Sequence, residues 1–204
     1  MARTQTPTNF IKHTSNNPLQ KFLINNFYAS LILIVRDINP RKILDVGAGE
    51  GFTLNKLKEN QLGKELEGIE YTKEAIALGK KMFPRIKIKQ GTAYELPYQD
   101  ESFDLVISTE VLEHLTDPQK ALKEMSRVGK KYLLLTVPNE PWFTIQRVLR
   151  GKNLLHLGAH PEHIQHWTPG AFKKFLTGNG LKIDKVRLPF AWTMILAEKK
   201  SPKS

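Results

Sequence analysis

Short apolar segments alternate with amphipathic segments along most of this chain. The apolar segments are rich in valine, isoleucine and leucine, which is typical of buried strands. They lie at 41–47, 65–71, 86–91, 103–109 and 130–138. Between them, residues 72–83, with Thr72 as cap, and 118–127 have the spacing of amphipathic helices. This alternation predicts an α/β fold in which helices cover both faces of a parallel sheet.

Both ends of the chain extend this pattern. The apolar run 22–35 predicts a helix that Asn17 caps and Pro18 opens. The last strand-like segments, 181–189 and 191–199, are too close together for a crossover helix and must pair antiparallel. The predicted sheet therefore has seven strands and is mostly parallel, with an antiparallel last strand.

Length and composition narrow the class of protein. The 204 residues predict one domain, 1–204, and the absence of cysteine excludes disulfides, thiolate metal sites and thiol nucleophiles. The run 22–35 is shorter than a bilayer requires, and no signal-peptide pattern accompanies it. We therefore expect no membrane span and a cytoplasmic location. Residues 200–204 are expected to form a disordered tail.

The net charge of +11 indicates an anionic partner or a solvated basic surface. A nucleic acid, an anionic metabolite and a lipid head group all fit this charge. The lysine pairs are spread along the chain and do not form one basic arm. Charge therefore leaves the partner open.

A glycine-rich segment, "ILDVGAGEGF" at 43–52, carries the clearest chemical signal. Three glycines at alternate positions follow Asp45, namely Gly47, Gly49 and Gly51. A dinucleotide loop requires the spacing G-x-G-x-x-G, and Asp45 and Glu50 would repel a pyrophosphate. The same two carboxylates would attract a cationic ligand. S-Adenosylmethionine is such a ligand, since it carries an ammonium and a sulfonium. Glu70, at the end of the second strand, is suited to accept hydrogen bonds from ribose hydroxyls.

The segments "LDVGAGEG", "GIEYTKEAI" and 91–128 together resemble class I S-adenosylmethionine-dependent methyltransferases of the type 11 group. The matching parts cover about 41–138, and "GLKIDKV" near the end resembles the family's sixth strand. The resemblance implies a Rossmann-like fold and methyl transfer from S-adenosylmethionine.

The resemblance also implies a set of cofactor-binding residues. Tyr71 would cover the adenine face, and the Ala93 backbone would meet the adenine edge. Thr92 stands where relatives commonly have an aspartate that accepts from the adenine amino group. The full set is Asp45, Gly47, Ala48, Gly49, Glu70, Tyr71, Thr92, Ala93 and Thr109.

The segment "TEVLEHL" at 109–115 places Glu110, Glu113 and His114 on one face if it is helical. It resembles turns of ubiquinone-pathway O-methyltransferases and of small-RNA 2′-O-methyltransferases. Three readings stay open. The three residues could bind a divalent metal together with His163, His114 could act as base with Glu110 on the cofactor side, or the acids could cap a helix.

Two further segments frame the predicted site. Residues 1–40 are expected to form an N-terminal helical cap, and 139–167 a substrate lid. In the lid, apolar residues at helical spacing accompany three basic ones; the six are Trp142, Ile145, Leu149, Arg147, Arg150 and Lys152. Such a surface favours an acceptor with an apolar part and an anionic part.

The sequence thus predicts an S-adenosylmethionine-dependent methyltransferase that acts on a hydroxyl of a small or lipid-like metabolite. One alternative is an RNA 2′-O-methyltransferase with the Glu/Glu/His/His metal site. The other is a non-catalytic subunit that binds the cofactor.

Overall fold

The computed structural model describes residues 8–139 and 164–200. The predicted cap at 1–40 is therefore described from Thr8 onwards. The predicted lid at 139–167 lies mostly outside the described residues, as do the side chains named for it. Most of the predicted tail is outside them as well.

Seven strands form one sheet in the order β3-β2-β1-β4-β5-β7-β6. Strand β7 runs antiparallel to both of its neighbours, and the pairs among β1 to β5 are parallel. This confirms the predicted α/β fold. The strands are β1 (Lys42–Val46), β2 (Glu65–Glu70), β3 (Lys87–Gln90), β4 (Phe103–Thr109), β5 (Gly129–Pro138), β6 (Leu181–Arg187) and β7 (Trp192–Lys199).

Helices cover both faces of this sheet. In chain order they are α1 (Thr8–Thr14), α2 (Pro18–Ile38), α3 (Phe52–Glu59), α4 (Lys73–Met82), α5 (Pro118–Val128) and α6 (Pro169–Gly178). A short 3₁₀ helix, Leu112–His114, follows β4. Helix α1 was missed because the start of the chain reads as polar.

Two predicted helix caps have different outcomes. The Asn17 side chain accepts hydrogen bonds from the backbone N–H groups of Leu19 and Gln20, at 2.9 and 3.2 Å, which confirms it as the cap of α2. Such a cap is worth about 1 kcal/mol. Thr72 occupies the predicted N-cap position of α4 in an extended conformation, but its side chain makes no capping hydrogen bond. Its backbone N–H instead donates to the Glu70 carboxylate at 2.7 Å.

The sheet separates two hydrophobic cores, because successive strand residues point to opposite faces. On β1, Leu44 joins the core under α5 and α6, whereas Ile43 joins the core under α2. Both side chains are fully buried. The carboxyl ends of β1, β2 and β4 meet at one edge between these layers.

Helix α2 extends beyond the apolar run 22–35 on which the expectation of no membrane span was based. Among the described residues, this 21-residue helix is long and apolar enough to cross a membrane, by length and composition alone. In the folded chain its inner face lies on the sheet. Leu31, Ile34 and Val35 have no exposed surface.

Candidate functional site

The loop between β1 and α3 is built around glycines in left-handed backbone conformations. Gly47, Gly49 and Gly51 have φ values of +78°, +54° and +89°. A Cβ atom on Gly47 would lie 2.3 Å from a methyl carbon of Val111. The glycine at this position therefore lets the loop approach the turn after β4.

Glu70 ties this loop to the end of β2. Its carboxylate accepts from the backbone N–H of Gly49 at 2.9 Å and from that of Thr72 at 2.7 Å, one hydrogen bond on each oxygen. A carboxylate has about four lone-pair sites. Glu70 therefore retains acceptor capacity for two ribose hydroxyls while it holds the loop.

Asp45 lies behind the loop and is 1% exposed. Neither carboxylate oxygen accepts a hydrogen bond from the described residues. Burial, and secondarily the charge of Glu70, raise the pKa of Asp45 to about 7. A buried carboxyl without partners is costly, and a cationic donor at the loop would satisfy it. The residues present thus fit a positively charged ligand.

The residues predicted to surround an adenine lie around β2 and β3. Tyr71 is 77% exposed and offers an open aromatic face. The Thr92 hydroxyl oxygen accepts from the backbone N–H of Tyr94 at 3.3 Å, so part of its capacity is used within its own turn. Ala93 is partly buried against the core.

Glu110 follows Thr109 at the end of β4 in a strained conformation. Its φ of +55° is uncommon for a residue with a side chain, and such strain costs about 1–3 kcal/mol. The Glu110 carboxylate accepts from the indole N–H of Trp192 at 2.8 Å. The same carboxylate forms an ion pair with Lys12 of α1. The Lys12 ammonium also lies 4.8 Å from the centroid of the Trp192 ring.

The electrostatics of this pair favour a charged Glu110. Burial alone would raise the pKa of Glu110, but Lys12 and the Trp192 hydrogen bond together bring it below its usual range. The pKa of the adjacent His13 is lowered as well, which for an imidazole favours the neutral form. Burial and then Lys12 lower the pKa of His13 to about 4, so its imidazole is neutral at pH 7.

Helix α1 covers the glycine loop through His13. The imidazole stacks on Phe52 with ring centroids 4.3 Å apart and lies 5.6 Å from the ring of Tyr28. A small cavity of about 20 Å³ lies under α1. Its lining includes Lys12, His13, Gly47 and Glu110. The cavity has room for about one water molecule.

A glycine loop, a Glu70 carboxylate with remaining acceptor capacity and an unsatisfied Asp45 therefore converge at one sheet edge. The profile of a methyltransferase domain family, Methyltransf_11, matches residues 44–134, which carry all three features. Over these residues the chain matches the family that the sequence analysis predicted, the class I S-adenosylmethionine-dependent methyltransferases. The predicted family is thus confirmed.

Individual relatives of this chain differ in length and name. An uncharacterized methyltransferase, YcgJ of Bacillus subtilis, is 28% identical over 164 residues, which cover 74% of this chain and 62% of the relative. A demethylmenaquinone methyltransferase of Thermotoga maritima is 27% identical over 119 residues, which cover 56% of this chain and 52% of the relative. The chain thus matches less than two thirds of the length of these relatives.

A solved structure shares the fold of this chain. The magnesium protoporphyrin IX methyltransferase of Synechocystis, with bound S-adenosylhomocysteine, has a TM-score of 0.68 and 14% sequence identity. The likeness covers 95% of each chain. At this level of identity it supports the Rossmann-like fold alone.

The turn at 109–115 departs from the predicted helical face. Glu110 is left-handed, and the short 3₁₀ helix then buries Glu113 to 1% exposure while His114 is exposed. The three side chains therefore do not share a face, which corrects that expectation. His163 lies outside the described residues. Within the described ranges, no group of three histidine, aspartate or glutamate residues could hold a metal ion.

Glu113 instead binds the first described residues after the segment 140–163 through its backbone. Its backbone carbonyl accepts from the N–H groups of Ile164 and Gln165 at 2.8 and 3.0 Å. Burial, and then Glu110, raise the pKa of the Glu113 carboxyl well above its usual range. Among the residues that the structure describes, its two carboxyl oxygens have no hydrogen-bond partner.

The residues that the sequence analysis missed come mainly from α1 and β7. Lys12 and His13 come close to Glu110 because α1 folds back over the sheet, and Trp192 meets Glu110 because β7 lies beside β5. The nearest sequence signal is "FIKHT" at 10–14, which has no motif spacing to the glycine loop.

Proposed function

We propose that this chain transfers a methyl group from S-adenosylmethionine to a hydroxyl oxygen of a small or lipid-like metabolite. The observation that carries the proposal is the buried Asp45 beside the glycine loop, with both oxygens unsatisfied. An acidic group at this place favours a cationic cofactor and opposes a dinucleotide pyrophosphate.

The chain's own residues would hold the cofactor in three regions. Asp45, Gly47, Ala48 and Gly49 would surround its amino-acid end, with Thr109 at the end of β4 beside them. Glu70 would accept from the ribose hydroxyls. In keeping with the family resemblance, Tyr71, Thr92 and Ala93 would surround the adenine.

The cofactor supplies an electrophilic methyl group on a good leaving group. The protein's contribution is then alignment and exclusion of water, and correct alignment can be worth roughly 7–11 kcal/mol. A hydroxyl acceptor must also lose a proton. We propose that His114, in the turn after β4, accepts this proton. Glu110 would lie on the cofactor side of the reacting centre.

A metabolite acceptor is favoured over RNA by the described residues. The RNA alternative relies on a metal site, and Glu110, Glu113 and His114 are not arranged as one. The name of the Thermotoga maritima relative refers to a quinone-class lipid precursor, which supports an acceptor with an apolar part. Lys12 and the net charge of +11 are compatible with an anionic group on it.

The acceptor can be found with radiolabelled S-adenosylmethionine. The protein is incubated with separate metabolite, lipid and RNA fractions, each with and without EDTA. We expect label in the metabolite or lipid fraction, insensitive to EDTA. Label in RNA that is lost with EDTA would favour the RNA alternative. Cofactor binding with no labelled fraction would favour the non-catalytic subunit.

A further inference from the structure

The contacts of Glu110 raise a question of charge. Its carboxylate faces the cavity beside the glycine loop, yet the ammonium of Lys12 already neutralises it. Lys12 belongs to α1, which lies outside the matched methyltransferase domain at 44–134. A basic residue has thus been brought to the place where a cationic cofactor must bind.

Lys12 and His13 also take up space beside the glycine loop. They form part of the wall of the cavity of about 20 Å³, which has room for one water molecule. A positive charge that pairs with Glu110 therefore has to take the place of the Lys12 ammonium.

Two other acidic groups near the loop have no lysine or arginine partner among the described residues that a ligand could replace. Glu70 is engaged by two backbone N–H groups. Neither oxygen of Asp45 accepts a hydrogen bond from the described residues. Glu110 is the charged carboxylate whose partner sits on a separate helix of seven residues. It is therefore the group that can exchange one cation for another at least structural cost.

We propose that Lys12 is a built-in competitor of the cofactor: it closes α1 over the glycine loop by pairing with Glu110, and Glu110 exchanges it for the positive charge of S-adenosylmethionine. The inference rests on the proposed function for the identity of the cofactor. Trp192 keeps Glu110 oriented through the exchange, because its indole N–H binds the other carboxylate oxygen.

A charge exchange has a signature that a simple steric cover lacks. S-Adenosylmethionine and S-adenosylhomocysteine differ by one methyl group and one positive charge at sulfur. A steric cover lowers the affinity for both by the same factor. A competing ammonium has to be displaced only by the compound whose sulfur is charged. The neutral sulfur of S-adenosylhomocysteine does not replace it at Glu110, so the affinity for S-adenosylmethionine falls more.

The test is calorimetric titration of both compounds into the purified full chain and its Lys12→Met variant. We expect Lys12→Met to bind S-adenosylmethionine more tightly and to raise its preference over S-adenosylhomocysteine by about tenfold, a factor equivalent to roughly 1.4 kcal/mol. Lys12→Arg keeps the charge and should keep the wild-type preference. Lys21→Met, an exposed lysine of α2, is the matched control and should change neither affinity.

Hydrogen exchange supplies a second measurement. Amides of α1 should lose protection when S-adenosylmethionine binds to the wild-type chain. The proposal is overturned if Lys12→Met changes both affinities by the same factor, or neither. Failure of the wild-type chain to bind either compound would instead contradict the proposed function.

Discussion

Asp45 and Glu113 are two buried carboxyl groups whose oxygens accept no hydrogen bonds from the described residues. Burial of such groups opposes their ionisation and therefore opposes folding at high pH. Asp45 lies beside the glycine loop, where a cationic ligand can pair with its buried carboxyl group. Glu113 is covered by the chain at Ile164 and Gln165, whose backbone N–H groups bind its carbonyl and not its carboxyl.

Asp45→Asn should stabilise the ligand-free protein increasingly as pH rises. Asp45 has a raised pKa of about 7 when folded, so its favourable contribution is complete below pH 4 and is lost as pH rises through 7. At pH 8 the variant should gain about 2–4 kcal/mol relative to pH 4, at roughly 1.4 kcal/mol per pKa unit. Urea unfolding of both proteins at the two pH values measures this.

The same substitution should weaken cofactor binding, since it removes the acidic group at the loop. A stability difference between Asp45→Asn and wild type that does not change with pH would show that Asp45 is ionised in the folded chain. Because Glu113 is present in both proteins, its own titration cancels in the comparison.

His114→Ala tests the assignment of the proton acceptor. Loss of a general base costs roughly 10²–10⁴-fold in rate. We expect a drop of about 10²-fold in kcat with the labelled fraction as acceptor, and unchanged affinity for S-adenosylhomocysteine. His166→Ala, another exposed histidine, is the matched control. An unchanged kcat in His114→Ala would show that His114 is not the proton acceptor.

At the scale of elements, α1 is held by few contacts of different kinds. The Lys12 ion pair, the stack of His13 on Phe52 and the contact of His13 with Tyr28 join it to the rest of the described chain. The stack requires a neutral imidazole in a buried place. Helix α2, in contrast, is fixed by a capped start and a fully buried inner face.

Acid should therefore release α1 before the sheet unfolds. The folded pKa of His13, about 4, lies below its usual value of 6.5, so its contribution is present above pH 6.5 and is lost as pH falls towards 4. The charged groups that face it are Lys12 and Glu110. Hydrogen exchange should show α1 amides losing protection between pH 6.5 and 4.5.

His13→Phe is the informative variant for this prediction. Phenylalanine keeps a flat ring over Phe52 but cannot be protonated. In this variant α1 should keep its protection at pH 4.5, while the amides of α2 remain protected in both proteins. Equal loss of α1 protection in wild type and variant would assign the acid response to another group.

At the scale of the whole molecule, the sheet order places the site. Strand β1 lies between β2 and β4, so the glycine loop, Glu70 and Glu110 meet at one edge. Strand β7, inserted between β5 and β6, brings Trp192 to Glu110. The two cores on opposite faces fix these strands, and the site residues extend from a rigid support.

The sequence by itself determined the strands, most of the helices and the cofactor loop, because these depend on local periodicity and on glycine and acidic residues at short spacing. It also indicated Glu70 from its place at the end of a strand. Tertiary structure alone decided that the turn after β4 buries Glu113, exposes His114 and leaves Glu110 paired with Lys12. Those outcomes depend on contacts across 98 and 82 positions of the chain, Lys12 to Glu110 and Glu110 to Trp192, which no local pattern encodes.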